Sequence, residues 1–153
     1  MHFTVLVIAD NYEQALEPFG VPACDGCVEF PECDDCEADY RTEYDWYELG
    51  GRVMGALVLS QPSERAVVGE SFAGGVEKPK DNLHVSGAPV GLIDWEATRE
   101  ALHESPCDPL THALLTLDGQ WIDSDDNTLY TLWWDMVLSL PPDQMVWLVD
   151  YHI

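Results

Sequence analysis

The sequence predicts a single α+β domain, residues 1–153, with a four- or five-stranded, mostly antiparallel sheet and two main helices on one face. Strand-like apolar patterns begin and end the chain, and helical patterns with a 3.6-residue apolar period lie between them. The length is sufficient for one domain with a sizeable core. The element order β-α-β-α-β-β-α-β is compatible with a ferredoxin-like arrangement that carries insertions.

The first elements are a strand and a short helix. Residues 2–9 are apolar on both faces of a strand, which predicts a central position in the sheet. Asp10 or Asn11 is suited to cap the helix that follows, because both side chains accept hydrogen bonds from free helical N–H groups. Pro18 and Gly20 then end this helix.

The next predicted strand covers residues 52–59, with a bend at Gly55. Residues 61–91 follow as a long irregular loop, in which glycine and proline recur. Loops of this length inside a compact domain are usually functional or mobile, so we expect this one to project from the sheet.

A capped helix and a hairpin come next. Asp94 is the expected cap of a helix from about residue 95 to residue 104. Strands at 112–117 and 120–123 flank Asp118-Gly119, a dipeptide typical of hairpin turns.

The last predicted elements are a helix at 128–140 and a strand at 144–153. One apolar stripe of the helix is expected to cover the sheet. A second stripe either packs beneath the 61–91 loop or forms a contact surface, and it consists of Tyr130, Trp134 and Leu138. The alternating apolar residues of the final strand predict that it pairs inside the sheet.

The charge is strongly negative, with 29 acidic against 6 basic residues and a formal net charge of −23. Such a surface repels nucleic acid and anionic membranes and favours basic proteins or cations as partners. Solubility alone is the simpler explanation of the same charge. The sequence has neither a signal-peptide pattern nor an apolar run of about 18 residues, which predicts a cytosolic protein.

Four cysteines form two C-x-x-C pairs inside an acidic insertion at 21–43. A cytosolic chain keeps such thiols reduced, and two pairs can complete a four-sulfur structural zinc site. Only five residues separate the pairs, so the loop must turn tightly. The alternatives are an iron–sulfur cluster, redox pairs or ordinary thiols. The predicted zinc ligands are Cys24, Cys27, Cys33 and Cys36.

The segment from Asp25 to Glu48 carries ten acids and one base. Carboxylates at this density can imitate the phosphates of a nucleic-acid strand and act as a decoy for a basic groove. A solvated, metal-pinned loop is the alternative. The candidate partner-binding residues are four acids and the aromatic pair of the helix, namely Asp34, Asp35, Glu37, Asp39, Tyr130 and Trp134.

One stretch combines aromatic residues, glycines and an arginine, and its functional interpretation is a ligand pocket. Aromatic rings form rigid walls, glycines permit close approach, and a guanidinium pairs with carboxylate or phosphate. The structural alternative is a strand with a glycine bulge, in which the arginine pairs with an acid. The residues are Trp46, Tyr47, Gly50, Gly51 and Arg52.

An enzymatic site is a second hypothesis. Asp150 and His152 are two positions apart on a predicted strand, so they share a face and can act as orienter and general base. Arg52 and Asp94 are further candidates, with Tyr47 as a proton donor. The alternative is that His152 is an ordinary surface residue. The sequence contains no known catalytic signature.

The chain resembles a family of small proteins encoded by bacteriophages, mainly phages of actinobacteria. Asp45-Trp46-Tyr47 and Gly50-Gly51-Arg52 resemble its W-D-W-Y-x-x-G-G-R-W segment. Val149-Asp150-Tyr151-His152-Ile153 resembles its V-V-D-C-H-I ending, and Ile93-Asp94-Trp95-Glu96 its I-D-F-E helix start. Val53 replaces the second tryptophan of the motif, and the cysteine pairs are not a family feature. The resemblance implies a phage origin and a host-cell cytoplasm, and no particular activity.

Three functions follow as expectations. The first is an acidic protein that engages and inhibits a basic host protein, either a nucleic-acid-handling or a defence component such as a CRISPR effector, without binding nucleic acid or membrane itself. The second is a small hydrolase or nucleotide-processing enzyme with a pocket around Arg52, Asp150 and His152. The third is a zinc-stabilised structural or adaptor module.

Overall fold

The structure, a computed structural model, describes residues 2–20, 46–69, 79–104, 113–123 and 135–152. Two α-helices lie wholly in these ranges, α1 (Tyr12–Leu16) and α2 (Trp95–Glu104). Three short 3-10 turns accompany them at Glu17–Phe19, Gly51–Val53 and Val90–Leu92. The strands are β1 (His2–Ile8), β2 (Trp46–Leu49), β3 (Leu57–Val58), β4 (His84–Val85), β5 (Gly87–Pro89), β6 (Ala113–Leu115), β7 (Trp121–Asp123) and β8 (Met145–His152).

The main sheet has six strands in the order β2-β8-β1-β6-β7, with β5 also paired to β8. The α+β class is confirmed, but the expectation of four or five strands was wrong. The additional strand arises because β2 and β5 lie end to end along the same side of β8, where Gly50 and Ser86 both bond to Leu148. The sheet is mixed, since β1 and β6 are parallel, whereas a ferredoxin-like sheet is antiparallel throughout.

The two terminal strands are the centre of this sheet, as their apolar patterns predicted. β1 lies between β8 and β6, and its register with β8 runs from His2 opposite His152 to Ile8 opposite Val146. Both strands bury nearly every side chain, because both faces of the sheet are covered.

Alternate side chains of these strands supply two separate cores. Leu6 and Leu148 point into the first core, together with Leu102 of α2. Val7 and Val149 point into the second core on the opposite face, where Leu16 of α1 packs. Residues 135–138 are helical, and Val137 is fully buried in the first core. Two helical segments therefore cover one face, and α1 covers the other.

Several local predictions are confirmed. Asn11 caps α1 through a bond from the N–H of Gln14, and Asp94 caps α2 through a bond of 3.1 Å from the N–H of Ala97. The hairpin of β6 and β7 turns at Asp118-Gly119, where the Thr116 hydroxyl donates to the Asp118 carboxylate.

Two predictions about the middle of the chain need correction. The expected strand at 52–59 is a 3-10 turn followed by the two-residue strand β3, which pairs with β4 in a separate small sheet. The expected irregular loop at 61–91 contains β4 and β5, although residues 70–78 lie outside the described ranges. β5 was missed because Gly87 and Pro89 are turn residues by composition. Gly87 has no side chain, and the ring of Trp147 packs over it.

Several sequence predictions concern residues outside the described ranges. They include the insertion at 21–43 with its cysteines and acids, and the aromatic pair Tyr130 and Trp134. Leu138, the third member of the second helical stripe, lies in the described ranges and is 67% exposed. None of the helices in the described ranges has the length and apolar character needed to cross a membrane.

Candidate functional site

The turn from Gly50 to Arg52 wraps around the carboxylate of Asp150. The Arg52 backbone N–H donates to Asp150 Oδ2 at 3.0 Å, and the Asp150 side chain is almost fully buried. Gly50 and Gly51 adopt φ angles of 82° and 45°, a left-handed region that other residues avoid. A Cβ at Gly51 would lie 2.5 Å from Asp150 Cβ, so only glycine lets the main chain come this close.

The second oxygen of Asp150 binds the first residue of β1. His2 Nδ1 lies 3.2 Å from Asp150 Oδ1. An ionised carboxylate only accepts hydrogen bonds, so His2 donates through Nδ1–H when Asp150 is in that state. This contact fixes the imidazole and directs its Nε2 atom away from the carboxylate.

Two further rings surround His2. The centroid of His152 lies 5.0 Å from that of His2 in an edge-on arrangement. Trp46 stacks on His152 with an angle of 10° between the ring planes and meets His2 edge-on at 5.3 Å. We call the group His2, Trp46, Asp150 and His152 the histidine cluster.

The histidine cluster brings together some of the predicted catalytic residues and adds a new one. Asp150 and His152 do share a face of β8, but the histidine that contacts the carboxylate is His2 of the neighbouring strand. Sequence reasoning missed His2. The available signal was the pairing of the two terminal strands, which places His2 directly opposite His152.

The predicted pocket residues divide between two faces of the sheet. Trp46 belongs to the histidine cluster, whereas Tyr47 packs on the opposite face against the second core. The Arg52 side chain is exposed, and its contact with Asp150 is made by the main chain instead of the guanidinium. The structure therefore does not gather this stretch into one pocket.

A cleft of about 710 Å³ opens on the Tyr47 side, between α1, β2 and residues 66–69. Tyr12 and Tyr47 line it with their rings at right angles and their centroids 6.2 Å apart. Glu13 and Glu48 also line it, as does Val67, which is 39% exposed. Sequence reasoning did not single out Tyr12, Glu13 or Val67.

The surroundings of Tyr47 in this cleft shift the pKa of its hydroxyl. Burial raises the pKa of its hydroxyl above the usual 10.0, and the negative charge of Glu13 raises it further. The hydroxyl therefore stays protonated at neutral pH.

In the described ranges, no group of three or more His, Cys, Asp or Glu side chains is arranged to hold a metal ion. The four predicted zinc ligands lie outside those ranges. Comparisons with family models, with curated proteins and with solved structures gave no match to this chain.

Proposed function

We propose that this protein is an acidic binding protein that engages a basic host protein and blocks the surface with which that protein handles nucleic acid. The single observation that carries the proposal is the charge: 29 acids against 6 bases, with ten acids between Asp25 and Glu48. A surface of this sign attracts cationic grooves and speeds association with them. The resemblance to phage-encoded proteins supplies the setting, an infected bacterial cell.

The histidine cluster fits this proposal because its carboxylate already has two structural tasks. Asp150 accepts a hydrogen bond from the Arg52 main chain and another from His2. A buried carboxylate bonded in this way anchors a turn and a terminal strand. The proposal therefore assigns binding of the basic partner to the acidic surface.

The experiment is affinity capture from host lysate with the full chain as bait, at about 0.05 M and about 0.5 M salt, since screening is strong only at the higher value. We expect a basic nucleic-acid-binding protein that is retained at low salt and released at high salt. Added nucleic acid should displace it, because the two compete for one groove.

A pair of matched variants locates the interaction. One reverses Asp34, Asp35, Glu37 and Asp39 to lysine and is expected to lose the captured protein. The other reverses four exposed acids elsewhere, which changes the net charge equally and should keep most of the binding: Glu64, Glu96, Glu100 and Asp143. Equal losses in both variants would show attraction by net charge alone and contradict a specific decoy.

A small hydrolase or nucleotide-processing enzyme is the second candidate. The observation that favours it is the bond between His2 Nδ1 and the buried Asp150, because general-base histidines are oriented by a carboxylate in this manner. His152 lies beside His2 and can contact a substrate next to it.

Turnover of nucleotides and of phosphate and carboxylate esters tests the enzyme candidate. A real activity should fall by at least about a hundredfold in His2→Gln, the size typical of a lost general base. His84→Gln is the matched control, because His84 also contacts an aspartate but lies outside the histidine cluster. Activity that survives His2→Gln would exclude this histidine as the base.

A further inference from the structure

We propose that the cleft between α1, β2 and residues 66–69 binds an arginine side chain presented by a partner protein. The inference rests on the proposed function and deepens it, since it assigns a receptor site for one cationic group on the basic partner. The cleft volume of about 710 Å³ is more than sufficient for one such side chain. Three features of its lining select this occupant.

The first feature is the aromatic wall. Tyr12 and Tyr47 meet at 88° with centroids 6.2 Å apart, and Tyr12 also packs against Trp147 at 5.1 Å. Both rings line the cleft, and their packing against each other and against Trp147 holds them in place. A guanidinium stacks on such faces through cation–π attraction, and it does so more readily than an ammonium because it is planar and weakly hydrated.

The second feature is the charge at the cleft. Glu13 is exposed and lines the cleft together with Tyr47, so its carboxylate attracts a cation bound there. Glu48 lines the same cleft. None of the described lining residues is basic, which disfavours a phosphate or a carboxylate as the ligand.

The third feature is the exposed Val67 at the same cleft. An arginine has a three-carbon stem that gains from apolar contact while its charged head reaches polar partners. Val67 is fixed by a two-way backbone pairing with Gly87, with N···O distances of 2.8 and 3.0 Å, so this apolar contact is rigid. Head and stem of the ligand thus both have a defined partner.

The test titrates the isotope-labelled full chain with N-acetyl-arginine amide and follows backbone NMR shifts. The neutral isostere N-acetyl-citrulline amide is titrated in parallel. We expect saturable shifts at Tyr12, Tyr47 and residues 66–69 with the arginine compound, and binding at least about tenfold weaker with citrulline. Binding should also lower the pKa of Tyr47, because a nearby cation favours the phenolate.

Variants separate a local site from general attraction. Glu13→Gln should weaken binding about two- to fivefold, the range of one exposed charge pair. Glu100→Gln removes the same charge from α2, on the opposite face, and should leave binding unchanged. Tyr47→Phe should keep most of the binding because the ring remains. Equal binding of citrulline, equal weakening by the two glutamine variants, or shifts spread over the whole surface would each overturn the proposal.

Failure of the cleft proposal can be distinguished from failure of the proposed host-binding function. If the arginine compound binds in the cleft but lysate yields no basic partner, the cleft site stands and the host-binding function is wrong. If a basic partner is captured equally by wild type and by Glu13→Gln, and the arginine compound does not bind, the host-binding function stands and the cleft proposal is wrong.

Discussion

Removal of the Asp150 carboxylate should lower the free energy of unfolding, and the contacts of this side chain allow the loss to be estimated. Asp150→Ala deletes the acceptor for the Arg52 N–H at 3.0 Å and for His2 Nδ1 at 3.2 Å. Each hydrogen bond to a charged group contributes about 1.5–3 kcal/mol, and a donor left unsatisfied adds to the loss. The alanine variant no longer buries a carboxylate, and the desolvation cost that this removes offsets part of the lost hydrogen-bond energy. We expect a net destabilisation of about 3 kcal/mol.

The assay is thermal unfolding of the full chain. For a domain of this length 1 kcal/mol corresponds to about 2–4 °C, so the melting temperature of Asp150→Ala should fall by about 6–12 °C. Asp150→Asn should fall by less, because the amide oxygen still accepts one bond. Amide exchange at Arg52 should accelerate in both variants, since its N–H loses a strong acceptor.

Asp143→Ala is the matched control for the loss of one negative charge. Asp143 is exposed and its backbone carbonyl, instead of its side chain, accepts from Arg65, so its melt should stay close to that of the wild type. A melting temperature of Asp150→Ala within about 2 °C of the wild type would refute the reasoning, because the turn would then hold without the carboxylate.

Three further predictions follow from the same observations. Arg52→Ala should change stability by less than about 0.5 kcal/mol in a denaturant titration, because the exposed side chain leaves the backbone bond to Asp150 intact; a large loss would mean that the guanidinium holds the turn. The hydrogen bonds from the His84 side chain and from the backbone N–H groups of Leu83 and His84 lower the pKa of Asp81 from 3.8 to about 2, so their stabilisation is complete above pH 3.8 and is lost as the pH falls through about 2; carbon NMR should show the pKa of Asp81 rising part of the way towards 3.8 in His84→Ala, which removes the side-chain bond alone, and an unchanged titration would contradict the assignment. We also propose that purified protein carries about one zinc ion, bound by Cys24, Cys27, Cys33 and Cys36; elemental analysis should detect it, serine at all four positions should remove it, and metal-free protein with full folding would end this proposal.

Elements defined by local pattern were predictable from the sequence. β1 and β8 each carry a long apolar run, α2 begins after a capping aspartate, and Asp118-Gly119 sets a hairpin turn. In each case the residues that decide the structure are neighbours in the chain. A reader of the sequence therefore has all the information that the element needs.

The segment 51–58 was not predictable for the opposite reason. Val53 and the apolar run at 56–58 have strand propensity, but the turn before them is set by a carboxylate 98 positions away in the chain. The same limit applies to the sites. The cleft joins Tyr12 to Tyr47, and the histidine cluster joins His2 to Asp150, so each depends on a pairing of distant strands.

The stretch from Trp46 to Arg52 contributes to both sites, and Glu48 of the cleft lies opposite Asp150 in the strand register. In β2 successive side chains point to opposite faces, so Trp46 joins the histidine cluster while Tyr47 lines the cleft. Gly50 and Gly51 then turn the main chain around Asp150, which lies on the Trp46 side.

Glu13 lies on α1, whereas Asp150 contacts Arg52 and His2, so a change at Asp150 should act on stability and a change at Glu13 on binding, with little coupling between them. The double variant Asp150→Asn with Glu13→Gln measures this directly. Additive effects on the melting temperature and on arginine binding are expected. A change in arginine binding caused by Asp150→Asn alone would instead show that the turn shapes the cleft, and the two sites would have to be treated as one.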